Sequence, residues 1–276
     1  MDMSFIQSLF DISGKVAVVT GGAGVLCSEM CNALARCGVS VAVLDISDEV
    51  ANELVERICA AGMKAIAVHA DVTCKSELER AREHILDKFG RIDILINGAG
   101  GNMPQATTTD KLSFFDLPED ALRAVVDLNF FGTLLSCQVF GRTFAEQGEG
   151  VIVNISSVSA FRPFTRVSAY AAAKAAVVNF TRWLATYMAQ SYSPKIRVNT
   201  IAPGIFITKQ NRYLLIDESG QLTERARVIL AHTPLGRFGE PQDLIGALIW
   251  LCSNASLFVT GAVIVVDGGF TAFSGV

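Results

Sequence analysis

Seven short apolar runs recur along the chain, at residues 16–19, 39–44, 65–68, 92–96, 151–155, 196–201 and 262–266. Several show no apolar–polar alternation, the pattern of strands covered on both faces. Helix-length segments separate them, at 47–61, 74–89, 117–147, 168–190 and 240–252. Strand–helix repetition on this scale admits few folds. It predicts one α/β domain over residues 1–276, a doubly wound parallel sheet of about seven strands with helices on both faces and right-handed crossovers.

Composition removes several function classes. Hydrophobic residues make up 51% and charged residues 18%, which suits a buried core and not disorder. The mean hydropathy of +0.40 raises the question of a membrane. The apolar runs are of strand length, short of the roughly 18 residues that span a bilayer. The first residues, MDMSFIQSLFDISGK, lack a basic segment followed by an apolar one, so no export signal is expected. Net charge is −4 with no Lys/Arg stripe, which argues against nucleic acid. Seven scattered cysteines, an odd number, fit a reducing compartment, and a cytoplasmic location is expected. Cys27 and Cys31 lie one helical turn apart, but the three histidines are distant in sequence, and no metal site is expected.

Two segments break the rhythm. Residues 100–116 follow the fourth strand and residues 204–234 the sixth. Both leave the carboxyl ends of strands, where open α/β sheets bind ligands, so loops near 100–118 and 204–234 are expected to hold substrate.

The first strand runs into Thr20-Gly21-Gly22-Ala23-Gly24-Val25-Leu26-Cys27. Gly21, Gly22 and Gly24 suit a tight turn, and a helix starting near Gly24 aims free N–H groups at a pyrophosphate. Asp45 ends the second strand, where a carboxylate accepts hydrogen bonds from both ribose hydroxyls of NAD and repels a 2′-phosphate. These features predict a Rossmann-like site for NAD, with NADP disfavoured. Asp45 as a cap for the following helix is the alternative, compatible with the first. Cys27 stands where a third glycine would let the helix pack closely, and a modest local adjustment is expected.

Tyr170 and Lys174 are four residues apart and share a helix face. A nearby ammonium stabilises phenolate, bringing a group with an ordinary pKa of about 10 toward use as an acid or base. Ser157 follows the fifth strand and can steady charge on a carbonyl oxygen, or simply cap a turn. Asn129 interrupts the apolar run VVDLNFFGTLL, where a buried amide must find partners.

From about residue 14 to residue 276 the chain resembles the short-chain dehydrogenase/reductase family. The matching motifs are Thr20-Gly21-Gly22-Ala23-Gly24, Asp71-Val72, Asn97-Gly98-Ala99-Gly100, Asn129, Ser156-Ser157, Tyr170-x-x-x-Lys174, Pro203-Gly204 and Asp267-Gly268-Gly269, with Ser157 thirteen residues before Tyr170. The resemblance implies that Tyr170 exchanges a proton with the substrate oxygen. Lys174 would lower the Tyr170 pKa and bind the nicotinamide ribose, Ser157 would polarise the carbonyl, and Asn129 would hold a relay water. Gly21, Gly22, Gly24, Val25 and Leu26 would form the phosphate loop. Asp71 and Val72 would flank adenine, Asn97 and Ala99 would line the adenosine ribose side, and Pro203, Gly204, Phe206 and Thr208 would meet the nicotinamide end. Two departures stand out. The family loop carries glycines where Val25 and Cys27 stand, and Gly98 replaces the second residue of an Asn-Asn-Ala-Gly motif.

The loop at residues 20–26, the stretch AGGNMPQATT and the ending DGGFTAFSGV are similar to a narrower group, provisionally named D-mannonate oxidoreductases. That likeness implies interconversion of D-mannonate and D-fructuronate. Another sugar acid such as gluconate, or a non-catalytic NAD-binding sensor, are the alternatives. Arg162, Arg166, Lys209 and Arg212 are candidates for a substrate carboxylate, and Asn102, Gln105, Gln210 and Asn211 for its hydroxyls. The apolar helices at 117–147 and 168–190 suggest an oligomer, and the resemblance implies a homotetramer.

Overall fold

The computed structural model describes residues 3–208 and 211–275. Its centre is a seven-stranded parallel sheet of order β3-β2-β1-β4-β5-β6-β7. The strands are β1 (Val16–Thr20), β2 (Ser40–Asp45), β3 (Ala65–His69), β4 (Ile94–Asn97), β5 (Gly150–Ile155), β6 (Ile196–Pro203) and β7 (Val263–Val266). Each falls within two residues of a predicted run. The helices are α1 (Met3–Phe10), α2 (Val25–Arg36), α3 (Asp48–Ala60), α4 (Lys75–Phe89), α5 (Glu119–Val126), α6 (Gly132–Gln147), α7 (Ser168–Ser191), α8 (Arg212–Leu215), α9 (Glu224–Ala231) and α10 (Ile245–Cys252).

Successive strand residues point to opposite faces, and each face has its own core. Ala17, Val19, Val41 and Val43 pack with Met30 and Leu34 of α2, Leu54 of α3 and Leu248 of α10. Val16, Val18, Ala42 and Leu44 pack with Leu78 of α4, Phe140 and Phe144 of α6 and Leu184 of α7. Because both faces are covered, central strands such as β1, β4, β5 and β6 are buried throughout, which explains their unalternating sequences.

The predicted helix over 117–147 is interrupted. A π-helical turn, Asp127–Phe131, joins α5 to α6 and places Asn129 in its widened segment. The whole stretch Glu119–Gln147 is long and apolar enough to cross a membrane by length and composition, contrary to the expectation from uninterrupted runs alone. Half of its most apolar window is buried, with Phe140 and Phe144 fully so, the behaviour of a core helix.

Register aligns the carboxyl ends of the strands. Thr20 pairs with Leu44 and with Asn97, Asn97 with Asn154, and Ile155 with Ile201. Chain order reverses at β1, which lies between β2 and β4. The crevice above Thr20 and Asn97 is therefore the topological switch point, where such sheets take ligands.

Candidate active site

The glycine turn is built by close approach. Gly21 adopts φ 61°, and a Cβ there would fall 2.7 Å from the Ala99 Cα. One on Gly22 would fall 2.8 Å from the Val19 carbonyl oxygen. Thr20 locks the two strand ends together, its Oγ1 accepting from the N–H groups of Gly98 and Ala99 at 3.2 Å each. Gly24 caps α2, and the N–H groups of Val25, Leu26 and Cys27 have no backbone partner. Three orphan donors at a helix N-terminus, with the positive end of its dipole, form an anion cradle. Val25 is exposed, while Leu26 packs partly into the core.

Asp45 grips that turn. Its Oδ2 accepts from the Ala23 N–H at 3.0 Å, and its Oδ1 from the Ser47 N–H at 3.0 Å. The capping alternative is not realised: Ser47, not Asp45, is the N-cap of α3, and Asp45 closes the turn before it while keeping further acceptor capacity. Ile46, the next residue, is 67% exposed, an apolar side chain at the rim that sequence reasoning passed over. Asp71 closes its own turn through the Thr73 N–H, and Val72 is buried. The Asn97 side chain turns away from the crevice to donate to the Asn154 Oδ1 at 2.8 Å, leaving only its main chain at the cleft.

Ser157, Tyr170 and Lys174 converge beside this crevice. Ser157 is 7% exposed, accepts from the Ser159 N–H at 3.1 Å, and lies near enough to the Tyr170 phenol to favour its ionised form. The cap reading of Ser157 is realised, since its hydroxyl caps the short turn Val158–Ala160. Lys174 is 3% exposed, donates to the Ile155 carbonyl at 2.9 Å, and lies 5.7 Å from the Tyr170 ring centroid. Burial pushes its ammonium down to about 8, against the opposing pull of the Cys27 thiol. Burial pushes the Tyr170 phenol up from its ordinary value, and Ser157 pulls it back. The expected lowering by Lys174 is thus not what this arrangement produces, because the ammonium faces the Ile155 carbonyl and not the phenol oxygen.

Asn129 is fully buried. Its Nδ2 donates to the carbonyls of Gly101 (2.6 Å) and Val125 (2.7 Å), and its Oδ1 accepts from the Gly101 N–H (3.0 Å). Both amide hydrogens already have protein acceptors, so the side chain is a clasp on Gly101 and not a free donor to water. Gly100 completes the clasp. A Cβ there would lie 2.7 Å from the Asn129 Oδ1 and 2.9 Å from the Lys174 Nζ. Its part was not visible in sequence, since both neighbours are distant along the chain.

The far rim is mixed. Pro203 ends β6, and a Cβ on Gly204 would fall 2.6 Å from the Asp267 Cα. The Phe206 ring is buried against Gly239, so this residue offers only its main chain to the cleft. Asn211 is occupied with the loop, accepting from the Thr208 N–H at 2.8 Å and donating to the Phe206 carbonyl at 2.7 Å. Arg162 donates to the Thr271 carbonyl at 2.9 Å and so ties the C-terminal segment instead of standing free. Asn102 donates to Thr107, while its Oδ1 is buried without a partner. Gln105 lines a cleft against α5 with Met103 and Asp120. Arg212 is exposed at the start of α8, and Lys209 and Gln210 lie outside the described residues.

Arg166 has a single marginal ion pair, 4.0 Å from an Asp110 carboxylate that is fully exposed. Arg225, absent from the sequence-based candidates, is half-buried on α9 and has no ion pair or hydrogen bond among the described residues. Its guanidinium is held below its ordinary value by burial and by that of Arg166. No local motif could have signalled it.

A family model described as "Enoyl-(Acyl carrier protein) reductase" matches residues 23–271. The chain is 49% identical over 275 residues to the "Uncharacterized oxidoreductase UxuB" of Bacillus subtilis (strain 168), covering 96% of this chain and 98% of that one. It is 35% identical over 268 residues to the 2-dehydro-3-deoxy-D-gluconate 5-dehydrogenase of Escherichia coli (strain K12), covering 97% and 99%. A crystal structure from Haemophilus influenza, provisionally named a D-mannonate oxidoreductase and holding bound NAD, superposes with a TM-score of 0.92 at 42% identity, over 98% of this chain and 100% of that one.

Proposed function

The chain belongs to the short-chain dehydrogenase/reductase family, and from there we propose that it is an NAD-dependent oxidoreductase interconverting D-mannonate and D-fructuronate. The observation that carries this reading is the meeting of Ser157, Tyr170 and Lys174 at the switch-point crevice, directly beside an anion cradle. NAD, when bound, takes up or delivers the hydride. The orphan N–H groups at the start of α2 suit its pyrophosphate, and Asp45 suits an unphosphorylated ribose.

Ser157 donates to the substrate oxygen and steadies negative charge there during reduction. Tyr170 protonates that oxygen, or removes the proton in the reverse direction. Lys174, held by the Ile155 carbonyl, would bind the ribose hydroxyls of the cofactor. Asn129 keeps Gly101, and with it Gly100, clear of the Lys174 ammonium. Residues 100–118, 204–208 and 211–234, after the carboxyl ends of β4 and β6, would line the substrate site. Arg166 and Arg225 support a sugar acid in particular: Arg225 feels the charge of Arg166, and among the described residues Arg225 has no anion and Arg166 only Asp110 at 4.0 Å, so both suit a carboxylate.

Two exposed apolar faces support a homotetramer. One is the aromatic stack of Phe180, Trp183 and Tyr187 on α7, with Trp183 56% exposed. The other is formed by Leu257 and Phe258, both strongly exposed. All seven cysteines are unpaired, in keeping with a cytoplasmic location.

The test is NADH formation from D-mannonate, with NADP and gluconate run alongside. Turnover with NAD and D-mannonate, and little with NADP, is expected. Arg225→Met should raise the KM for D-mannonate about tenfold or more while kcat changes less. Turnover of gluconate alone would move the substrate, and an unchanged KM in the Arg225 variant would remove the carboxylate assignment.

A further inference from the structure

The two departures from the family pattern, at positions 27 and 98, meet in space. A Cβ built on Gly98 would fall on the Cys27 Sγ, with the Cys27 Cβ 3.6 Å away and the Thr20 carbonyl oxygen 3.0 Å away. Cys27 is buried, and burial pushes its thiol up to about 12, so its sulfur is a neutral, space-filling group. It sits between the first turn of α2 and the end of β4, next to where Thr20 ties the ends of β1 and β4 together.

We propose that Cys27 and Gly98 form one reciprocal unit, in which the Cys27 side chain replaces a side chain missing at position 98 and holds the end of β4 in register with the cofactor turn. The family pattern, glycine at 27 and asparagine at 98, is the other state of the same unit. Cys27 is a positioning residue. Gly98 leads through Ala99 to Gly100, whose backbone leaves room for the Lys174 Nζ and the Asn129 Oδ1. Loss of the wedge therefore loosens the floor of the cofactor cleft without removing any group that contacts the reacting atoms.

The unit is tested by a double-mutant cycle on the full chain, with NADH affinity by fluorescence titration and the thermal midpoint as readouts. The reading of affinity rests on NAD being the cofactor. Cys27→Gly leaves a void and should weaken NADH about fivefold. Gly98→Asn alone collides with the sulfur and should weaken NADH by more than about tenfold, or fail to fold. The double variant should bind NADH within about threefold of the parent and recover the thermal midpoint, the remaining loss reflecting the Thr20 carbonyl. Should Gly98→Asn not fold, a folded double variant that binds better than Cys27→Gly supports the unit. Additive losses in the double variant, or a Cys27→Gly variant indistinguishable from the parent, would overturn it. If the parent protein fails to bind NADH, the proposed function falls, and the midpoint cycle still decides the pair.

Discussion

Lys174 carries its charge in a nearly closed pocket, donating to one carbonyl and facing no carboxylate. Burial lowers its pKa to about 8 in the folded chain, while the unfolded chain keeps the ordinary value of 10.5. Between these values the unfolded state binds more protons, so this group's contribution to stability improves as pH rises through that window and is at its worst below it. The same titration should show in catalysis. The pH profile of kcat/KM, which reports groups of the free enzyme, should contain one near 8 that Lys174→Met abolishes. A profile flat through that region, or one unchanged in the variant, would count against the assignment. Tyr170, Lys174 and Ser157 were legible in sequence because two share a helix face and the third ends a strand. The Asn129–Gly101 clasp, the contact of Cys27 with position 98 and the unpaired Arg225 were not. Each depends on residues brought together only by the sheet order or by a loop without a motif.

At the scale of elements, strands read well because burial on both faces writes continuous apolar runs, while helix interruptions read poorly. The π turn at Asp127–Phe131 leaves no breaker residue in the sequence, and within it Asn129 bonds to the carbonyls of Gly101 and Val125. A second device is equally hidden. Arg197, inside β6 and 5% exposed, donates to the carbonyls of Leu251 (2.9 Å) and Ser253 (3.2 Å) at the end of α10, and to Val259 (3.4 Å). A cation there satisfies terminal carbonyls and complements the helix dipole. Arg197→Met should destabilise the fold by about 2–3 kcal/mol, since buried carbonyls lose a charged donor. That corresponds to a midpoint lower by roughly 5–10 °C in calorimetry. An unchanged midpoint would mean that water replaces the guanidinium without loss.

In the molecule as a whole, the carboxyl ends of β1 and β4 meet at the crevice where chain order reverses. That layout was legible from strand–helix alternation and the two long loops. In the sequence the proposed assembly rests only on excess apolar helix surface, because exposure of the aromatic stack depends on how α7 is rotated against the sheet. Light scattering should return four chains per particle for the parent and a smaller particle for Trp183→Glu, which buries a charge in the proposed contact. A monomeric parent would contradict that assembly. The central claim is that this crevice performs hydride transfer with Tyr170 as its acid and base. It is tested most directly by comparing Tyr170→Phe with the parent in NADH titration and in turnover of the sugar acid. Unchanged NADH affinity with turnover reduced by roughly 100- to 10,000-fold is the predicted result. Equal turnover in the two proteins would contradict it.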